Sequence, residues 1–388
     1  MIERDEARDL RGLRLAVLGS IAYPTPPHGY GPWEQIAASL CEGMRARGLD
    51  VTLFASGNST TSARLRSVIP VALSEDRGLD DEVFSALHAA RCFEHAADFD
   101  LIHNNFDWKP LTYALATAAP PLVTTIHGFS RPPILAAYYA AAGRSFYCSI
   151  SDADRDPGLD YLATTYNGID PQEFTFVDRP GSYLVFLGRF HPEKGAHLAI
   201  EIARRANLPL VLAGIPQDEA YFRDQILPHV DVERVRFIGP VERAARNELL
   251  GGALALVHFT TRPERFGLTL VEAMACGTPV LGARMGSIPE IVVDGETGFC
   301  CNDVDAAVSR ARDLASLDRG VCRARVEREF SSERMIDRYL GAYRDALRLG
   351  EPPLASNDKK RWRAHDWWDR PMAFTELPRK PQTQPTTE

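Results

Sequence analysis

No run of 18 apolar residues occurs in the 388-residue chain, and its start, MIERDEARDLRG, is charged and leads directly into an apolar run. Neither a membrane span nor a signal peptide is expected. Positive charge is not in excess: 44 Lys and Arg against 52 Asp and Glu give a formal net charge of -8. That balance argues against a nucleic-acid partner, while leaving room for a local basic pocket that takes one diphosphate. The seven cysteines, at 41, 92, 148, 276, 300, 301 and 322, are odd in number and show no recurring metal-ligand spacing. Most sit among apolar residues, as reduced core thiols do, which fits a cytoplasmic protein. The adjacent Cys300 and Cys301 read as packing groups rather than a metal or redox pair.

What the chain does have is length and alternation. It is long for one hydrophobic core and suits two domains of about 150 to 200 residues. Apolar, strand-like runs at 13–18 (LRLAVL), 50–54, 101–103, 122–126 and 145–150 alternate with helical patterns at 32–47, 80–97, 110–118 and 134–142. This is the pattern of an α/β chain with parallel sheets covered on both faces. In the helix over 80–97, Val83, Phe84, Leu87 and Ala90 are expected to point inward. Residues at the carboxyl ends of such strands meet ligands, which singles out His103 and Asn104, and His127 before Gly128. His127 can also be read as a cap or a local hydrogen-bond partner. In the loop SIAYPTPPHGYGPWE, Gly29 and Gly31 permit close backbone approach to a ligand, and a helix is expected from Pro32-Trp33. Asn167-Gly168-Ile169-Asp170 forms a turn that closes the first half, and residues 178–182 (DRPGS) form the linker.

The second half opens with a strand at 183–187 that runs into GRFHPEKG at 188–195, where Arg189 and Lys194 are aimed at a diphosphate or, alternatively, are surface charges. Alternation continues through helices at 197–206, 219–230 and 241–250 and strands at 210–213, 235–238 and 255–259. The organising stretch is PERFGLTLVEAMACGTPV, residues 263–280. In one straight helix Glu264 and Glu272 would stand about 80° and about 12 Å apart, too far for one small ligand. With a turn at Phe266-Gly267 and a helix from Leu268, both carboxylates face one pocket, joined by the amides of Gly267, Leu268 and Thr269. Such amides suit a phosphate, and the glutamates suit sugar or ribose hydroxyls. The alternative is an ordinary βα crossover with solvated or capping glutamates. Helices at 303–314, 318–330 and 331–347 follow, the last starting at Ser332. In the tail, Trp362, Trp367 and Trp368 are expected to pack on a domain surface, and RKPQTQPTTE to be disordered.

In this order, the blocks GYG (29–31), VTLFASG (51–57), DLIHNN (100–105), TTIHG (124–128), YNGID (166–170), GRFHPEKG (188–195), residues 263–280 and GSIPEIVVDGETGF (286–299) resemble the retaining glycosyltransferases of family 4. The resemblance covers residues 13 to 347. It implies a GT-B fold, two Rossmann-like domains facing each other across a cleft. Residues 1–180 would form the acceptor side and 183–330 the nucleotide-sugar donor domain. A helix at 331–349 would return to the first domain, and 350–388 would be an extension.

By the same resemblance, Arg189 and Lys194 hold the donor diphosphate and Glu264 contacts the donor sugar. The amides of Phe266, Gly267 and Leu268 contact sugar or phosphate, Glu272 the ribose, and His127 the sugar near its reacting carbon. Gly29 or Gly31 brings backbone donors to the phosphate. Acceptor-side candidates are His103, Asn104 and Trp33. The implied donor is a nucleotide sugar, UDP-linked by preference, and the acceptor carries a hydroxyl. Retention follows from front-face attack, with neither metal nor cofactor required, and a homo-oligomer is left open. A phosphorylase, a sugar-nucleotide epimerase or a non-catalytic sugar-nucleotide-binding protein are the competing readings. Two departures stand out. Pro32-Trp33 replaces the usual Gly-Thr before Glu34, and Asn105 replaces the final histidine of His-Asn-His.

Overall fold

The computed structural model describes residues 9–128, 132–231 and 233–350; the Trp-containing extension lies outside them. Seven strands form the first sheet: β1 (Arg14–Leu18), β2 (Asp50–Phe54), β3 (Arg64–Arg66), β4 (Leu101–Asn104), β5 (Leu122–Ile126), β6 (Phe146–Ser149) and β7 (Tyr161–Thr164). Six form the second: β8 (Leu184–Leu187), β9 (Leu210–Ala213), β10 (Val235–Phe237), β11 (Ala255–His258), β12 (Val280–Ala283) and β13 (Gly298–Cys301). Their orders are β3-β2-β1-β4-β5-β6-β7 and β10-β9-β8-β11-β12-β13. Every ladder is parallel. Strands of such sheets are covered on both faces, which is why they read as unbroken apolar runs rather than alternating ones.

The helices are α1 (Pro32–Ala46), α2 (Asp81–Glu94), α3 (Lys109–Ala116), α4 (Leu135–Ala140), α5 (Ala196–Arg205), α6 (Glu219–Tyr221), α7 (Arg243–Gly251), α8 (Leu268–Ala275), α9 (Ile288–Ile291), α10 (Val304–Arg310), α11 (Arg319–Glu329) and α12 (Ser332–Leu349). Ser331, one residue earlier than expected, caps α12 by accepting the amide of Arg334 at 3.2 Å. The helix expected over 219–230 breaks into α6, a π turn (Phe222–Ile226) and a 3-10 turn (Leu227–His229). Pro228 has no N–H to donate to the carbonyl of Asp224, so a regular α-helix cannot carry through to 230, although Leu227 keeps α-region angles.

The inward face of α2 also differs from expectation. Val83 and Leu87 are half exposed, and the buried residues are Ser85, His88, Ala89, Cys92 and Phe93. His88 donates from Nε2 to the carbonyl of Gly19 at 3.0 Å, so a polar anchor decides which stripe faces the sheet.

The chain crosses between the sheets twice, and the crossings are bonded to each other. The amide of Ile169 donates to Phe330 O at 3.0 Å, and that of Ser332 to Ile169 O at 2.7 Å. After the second crossing, α12 lies on the first sheet, burying Met335, Ile336, Tyr339 and Tyr343 with Leu15, Val17, Leu40 and Val51.

Candidate active site

In each sheet the strand order reverses beside its first strand, between β1 and β4 and between β8 and β11. A parallel sheet opens a crevice at the carboxyl ends of the strands at such a point. Here the crevices face one another across a cavity of about 250 Å³. From the first half it is lined by Tyr30, Pro32, Trp33, His127, Ile150 and Asn167. From the second come Gly188, Arg189, Lys194, His258, Glu264 and residues 265–269. Thus Trp33, His127, Arg189, Lys194, Glu264, Phe266, Gly267, Leu268 and Thr269, picked from the sequence, line one space.

Glu264 is the polar centre of the second-half wall. Its Oε2 accepts from Lys194 Nζ and from His258 Nε2, each at 2.7 Å. Burial opposes its ionisation, but the hydrogen bond and charge of His258, with Lys194, outweigh this and hold the carboxyl well below the usual range. Its loop is pinned from behind: Ser287 donates its amide to Glu264 O and its hydroxyl to Phe266 O, both at 2.9 Å. Gly267 then starts α8 with φ +85, where a Cβ would lie 2.8 Å from Leu270. Only glycine reaches this conformation without strain, and the turn leaves the first amides of α8 at the cavity wall. Arg189, after β8, is held by the side chain of Gln217.

Across the cavity, the His127 ring stacks on Trp33, centroids 5.4 Å apart and planes at 24°. His127 Nε2 bonds Asn105 Oδ1 at 2.7 Å, and Asn105 Nδ2 donates to Trp33 O at 3.1 Å. Burial pushes the His127 pKa down to about 3, so the ring is neutral at pH 7.

Several expectations are corrected. Glu272, one turn into α8, is not among the cavity-lining residues; it is buried against Arg246, at 3.1 Å, and burial raises its pKa against the opposing charges of Arg246 and Arg243. The two carboxylates therefore do not share this cavity. Gly29 and Gly31 do not line it either, although Tyr30 and Pro32 do. A Cβ on Gly31 would lie 2.7 Å from Pro27, so that glycine serves packing within its own loop. His103 is fully buried, bonded through Nδ1 to Tyr343 OH at 2.6 Å and through Nε2 to Thr125 at 3.0 Å. Asn104 is spent on Asp107 O and Phe106 N. Both sit at the expected sheet edge, but their side chains serve the fold.

Sequence reasoning missed His258 and the use of Asn105. The last residue of β11 stands where His103 and His127 drew attention, so the signal for His258 was present. It also missed a tether between the halves. Ser151 donates to Arg265 O at 2.6 Å, and Arg265 Nη1 pairs with Asp154 at 3.1 Å. Glu290 accepts the amides of Asp152 and Ala153 at 2.9 and 2.7 Å. Burial, opposed by Arg265, raises the Asp154 pKa to about 6.

Two facing parallel-sheet domains with a polar cleft at both switch points define a GT-B architecture. Residues 34–155 match the model for Glycosyltransferase Family 4, and residues 173–326 that for Glycosyl transferases group 1. The chain belongs to these group 1, family 4 glycosyltransferases. It is 29% identical over 251 residues to a glycogen synthase of Mycobacterium tuberculosis, covering 56% of this chain and 60% of that one. It therefore spans less than two thirds of that relative's length. It is 25% identical over 344 residues to a phosphatidyl-myo-inositol mannosyltransferase of Mycobacterium leprae, covering 81% and 90%. The structure of HepE from Anabaena in complex with UDP-glucose superposes with TM-score 0.65 at 20% identity, covering 86% of this chain and all of that one. No helix among the described residues is long and apolar enough to cross a membrane.

Proposed function

We propose that the protein is a retaining glycosyltransferase that moves a sugar from a nucleotide-sugar donor, UDP-linked by preference, to a hydroxyl-bearing acceptor in this cleft. The observation that carries the reading is the wall formed by Arg189, Lys194, Glu264 and the start of α8, facing His127 across one cavity. Cations and free helix amides on one side suit a diphosphate, and the carboxylate and imidazole suit sugar hydroxyls. HepE, a structural neighbour crystallised with UDP-glucose, supports the choice of UDP.

In the proposed step the bond between the anomeric carbon and the diphosphate oxygen breaks. The acceptor oxygen bonds the same face of that carbon, and its proton passes to a phosphate oxygen of the leaving group. Arg189 and Lys194 stabilise the charge developing on that group. They supply charge that a divalent ion would otherwise provide, so activity is expected without added metal. Glu264 holds the donor sugar, with Lys194 and His258 keeping it ionised. Glu272 is paired with Arg246 and does not line the cavity, so its ribose contact rests on the family resemblance alone.

The test is a thermal-shift panel of UDP-, GDP-, ADP- and dTDP-sugars, because a ligand that binds only the folded state raises its apparent stability. A clear shift with one nucleotide class is expected; no shift with any sugar nucleotide would overturn the reading. The second reading, a sugar-nucleotide-binding protein without transfer, draws on Pro32, which puts a residue without an amide hydrogen at the cavity wall. Tight donor binding with no nucleoside diphosphate released on any acceptor would favour it.

A further inference from the structure

Asn105 is connected to the cavity only through its neighbours, and its amide can sit in only one orientation. Trp33 O is a carbonyl and can only accept, so the amide group facing it must be Nδ2, at 3.1 Å. Oδ1 then faces His127 Nε2 at 2.7 Å. Flipping the amide would set two acceptors against each other at Trp33. An amide oxygen accepts, so His127 Nε2 carries the hydrogen. Burial keeps the ring neutral, which leaves Nδ1 as a bare lone pair. Among the described residues, Asn105 is the hydrogen-bond partner of this ring. The stacked Trp33 indole fixes the ring plane, and His127 lines the cavity.

We propose that Asn105 is a positioning residue: by bridging Trp33 O and His127 Nε2 it locks His127 as the Nε2–H tautomer and presents Nδ1 to the cavity as an acceptor for a substrate hydroxyl. A histidine at 105, as the family resemblance suggests, would supply a partner able to donate or accept and would not choose a tautomer. The asparagine chooses one. The ring contacted by His127 must then offer an O–H, and an ether or fluorine at that position is disfavoured because both only accept. The identity of that hydroxyl rests on the glycosyl-transfer reading; the tautomer does not.

The experiment is long-range proton–nitrogen NMR of the full-length protein labelled with nitrogen-15 in histidine. The His127 signals are assigned by their absence in His127→Gln. The expected result is a protonated Nε2 and an unprotonated Nδ1, unchanged from pH 8 to pH 5. A protonated Nδ1, or averaged nitrogens, overturns the proposal even if the protein transfers sugar. Conversely, the expected tautomer in a protein that turns over no sugar nucleotide leaves this inference standing and removes the functional one. In an active enzyme, Asn105→Leu is expected to show mixed tautomers and lose about tenfold in kcat. Asn105→Asp, which favours the imidazolium, is expected to give a rate that rises with pH as that ring deprotonates. A flat pH profile in Asn105→Asp with wild-type kcat in Asn105→Leu would show that the bridge does not act through His127.

Discussion

Replacing Lys194 by alanine is the perturbation for which the structure makes the most definite demand. The ammonium lies 2.7 Å from Glu264 Oε2, with 26% of the Lys194 side chain exposed against 9% for Glu264. It is thus already aimed before a donor arrives, and a preorganised cation is worth most when charge develops on the leaving group. Loss of one such contact costs about 3–4 kcal/mol in the barrier, or about 100- to 1,000-fold in kcat. The fold should suffer less. Breaking a buried pair costs about 3–5 kcal/mol, but the partial exposure of Lys194 and the remaining His258 contact bring the expected loss to about 1–2 kcal/mol, a few degrees in Tm.

The acid limb of stability should move as well. In the wild type the Glu264 carboxyl is held below its unfolded value, so its contribution is complete above about pH 4.3 and lost as pH falls through the folded pKa. Without Lys194 that contribution is smaller and is fully lost at a higher pH. The assay is steady-state release of nucleoside diphosphate at saturating donor, alongside urea melts at pH 3.5 and 7. A kcat within about tenfold of wild type, or a change confined to KM, would refute the placement of Lys194 on the leaving group.

Other substitutions probe the surrounding structure. The Asp154 pKa of about 6 exceeds the unfolded value of about 3.9, so the folded state holds its proton longer and stability falls as pH rises from 4 to 6. Asp154→Asn should abolish up to about 3 kcal/mol of that slope in urea melts, and identical slopes in the two proteins would contradict it. Gly128→Ala would place a Cβ 2.2 Å from Arg265 Cδ at φ +104, at a cost of about 1–3 kcal/mol, seen as a lowered Tm; an unchanged Tm counts against the close approach. Glu272→Ala should weaken nucleotide binding about tenfold by calorimetry if this carboxylate receives the ribose, whereas an unchanged affinity removes it from the site.

The strands and the donor loop were legible because local chemistry determines them. Parallel strands need unbroken apolar runs, and Gly267 at φ +85 needs to be glycine. The errors share a different cause, which is that sequence position shows where a residue sits along the chain but not which way its side chain turns. His103 stands at the carboxyl end of β4, yet its ring turns toward Tyr339 and Tyr343 of α12, more than 230 residues later, and no local pattern announces that packing. Val83 and Leu87 share an apolar stripe, but the neighbouring stripe with small Ser85 and Ala89 comes close enough for His88 to bond Gly19. Glu272 has the spacing from Glu264 that a shared pocket needs, but its carboxylate pairs with Arg246 of α7 and does not line the cavity. Asn105 stands where the family resemblance puts an imidazole, and its amide is hydrogen-bonded to the imidazole of His127.

Transfer with retention from a nucleotide sugar, in the cleft between Glu264 and His127, is the reaction proposed for this protein. Its most direct measurement is proton NMR of the anomeric linkage formed when the enzyme meets its preferred donor and a panel of hydroxyl acceptors. One nucleoside diphosphate released per sugar moved, with a product that keeps the anomeric configuration of the donor, is the expected result. An inverted linkage would contradict it.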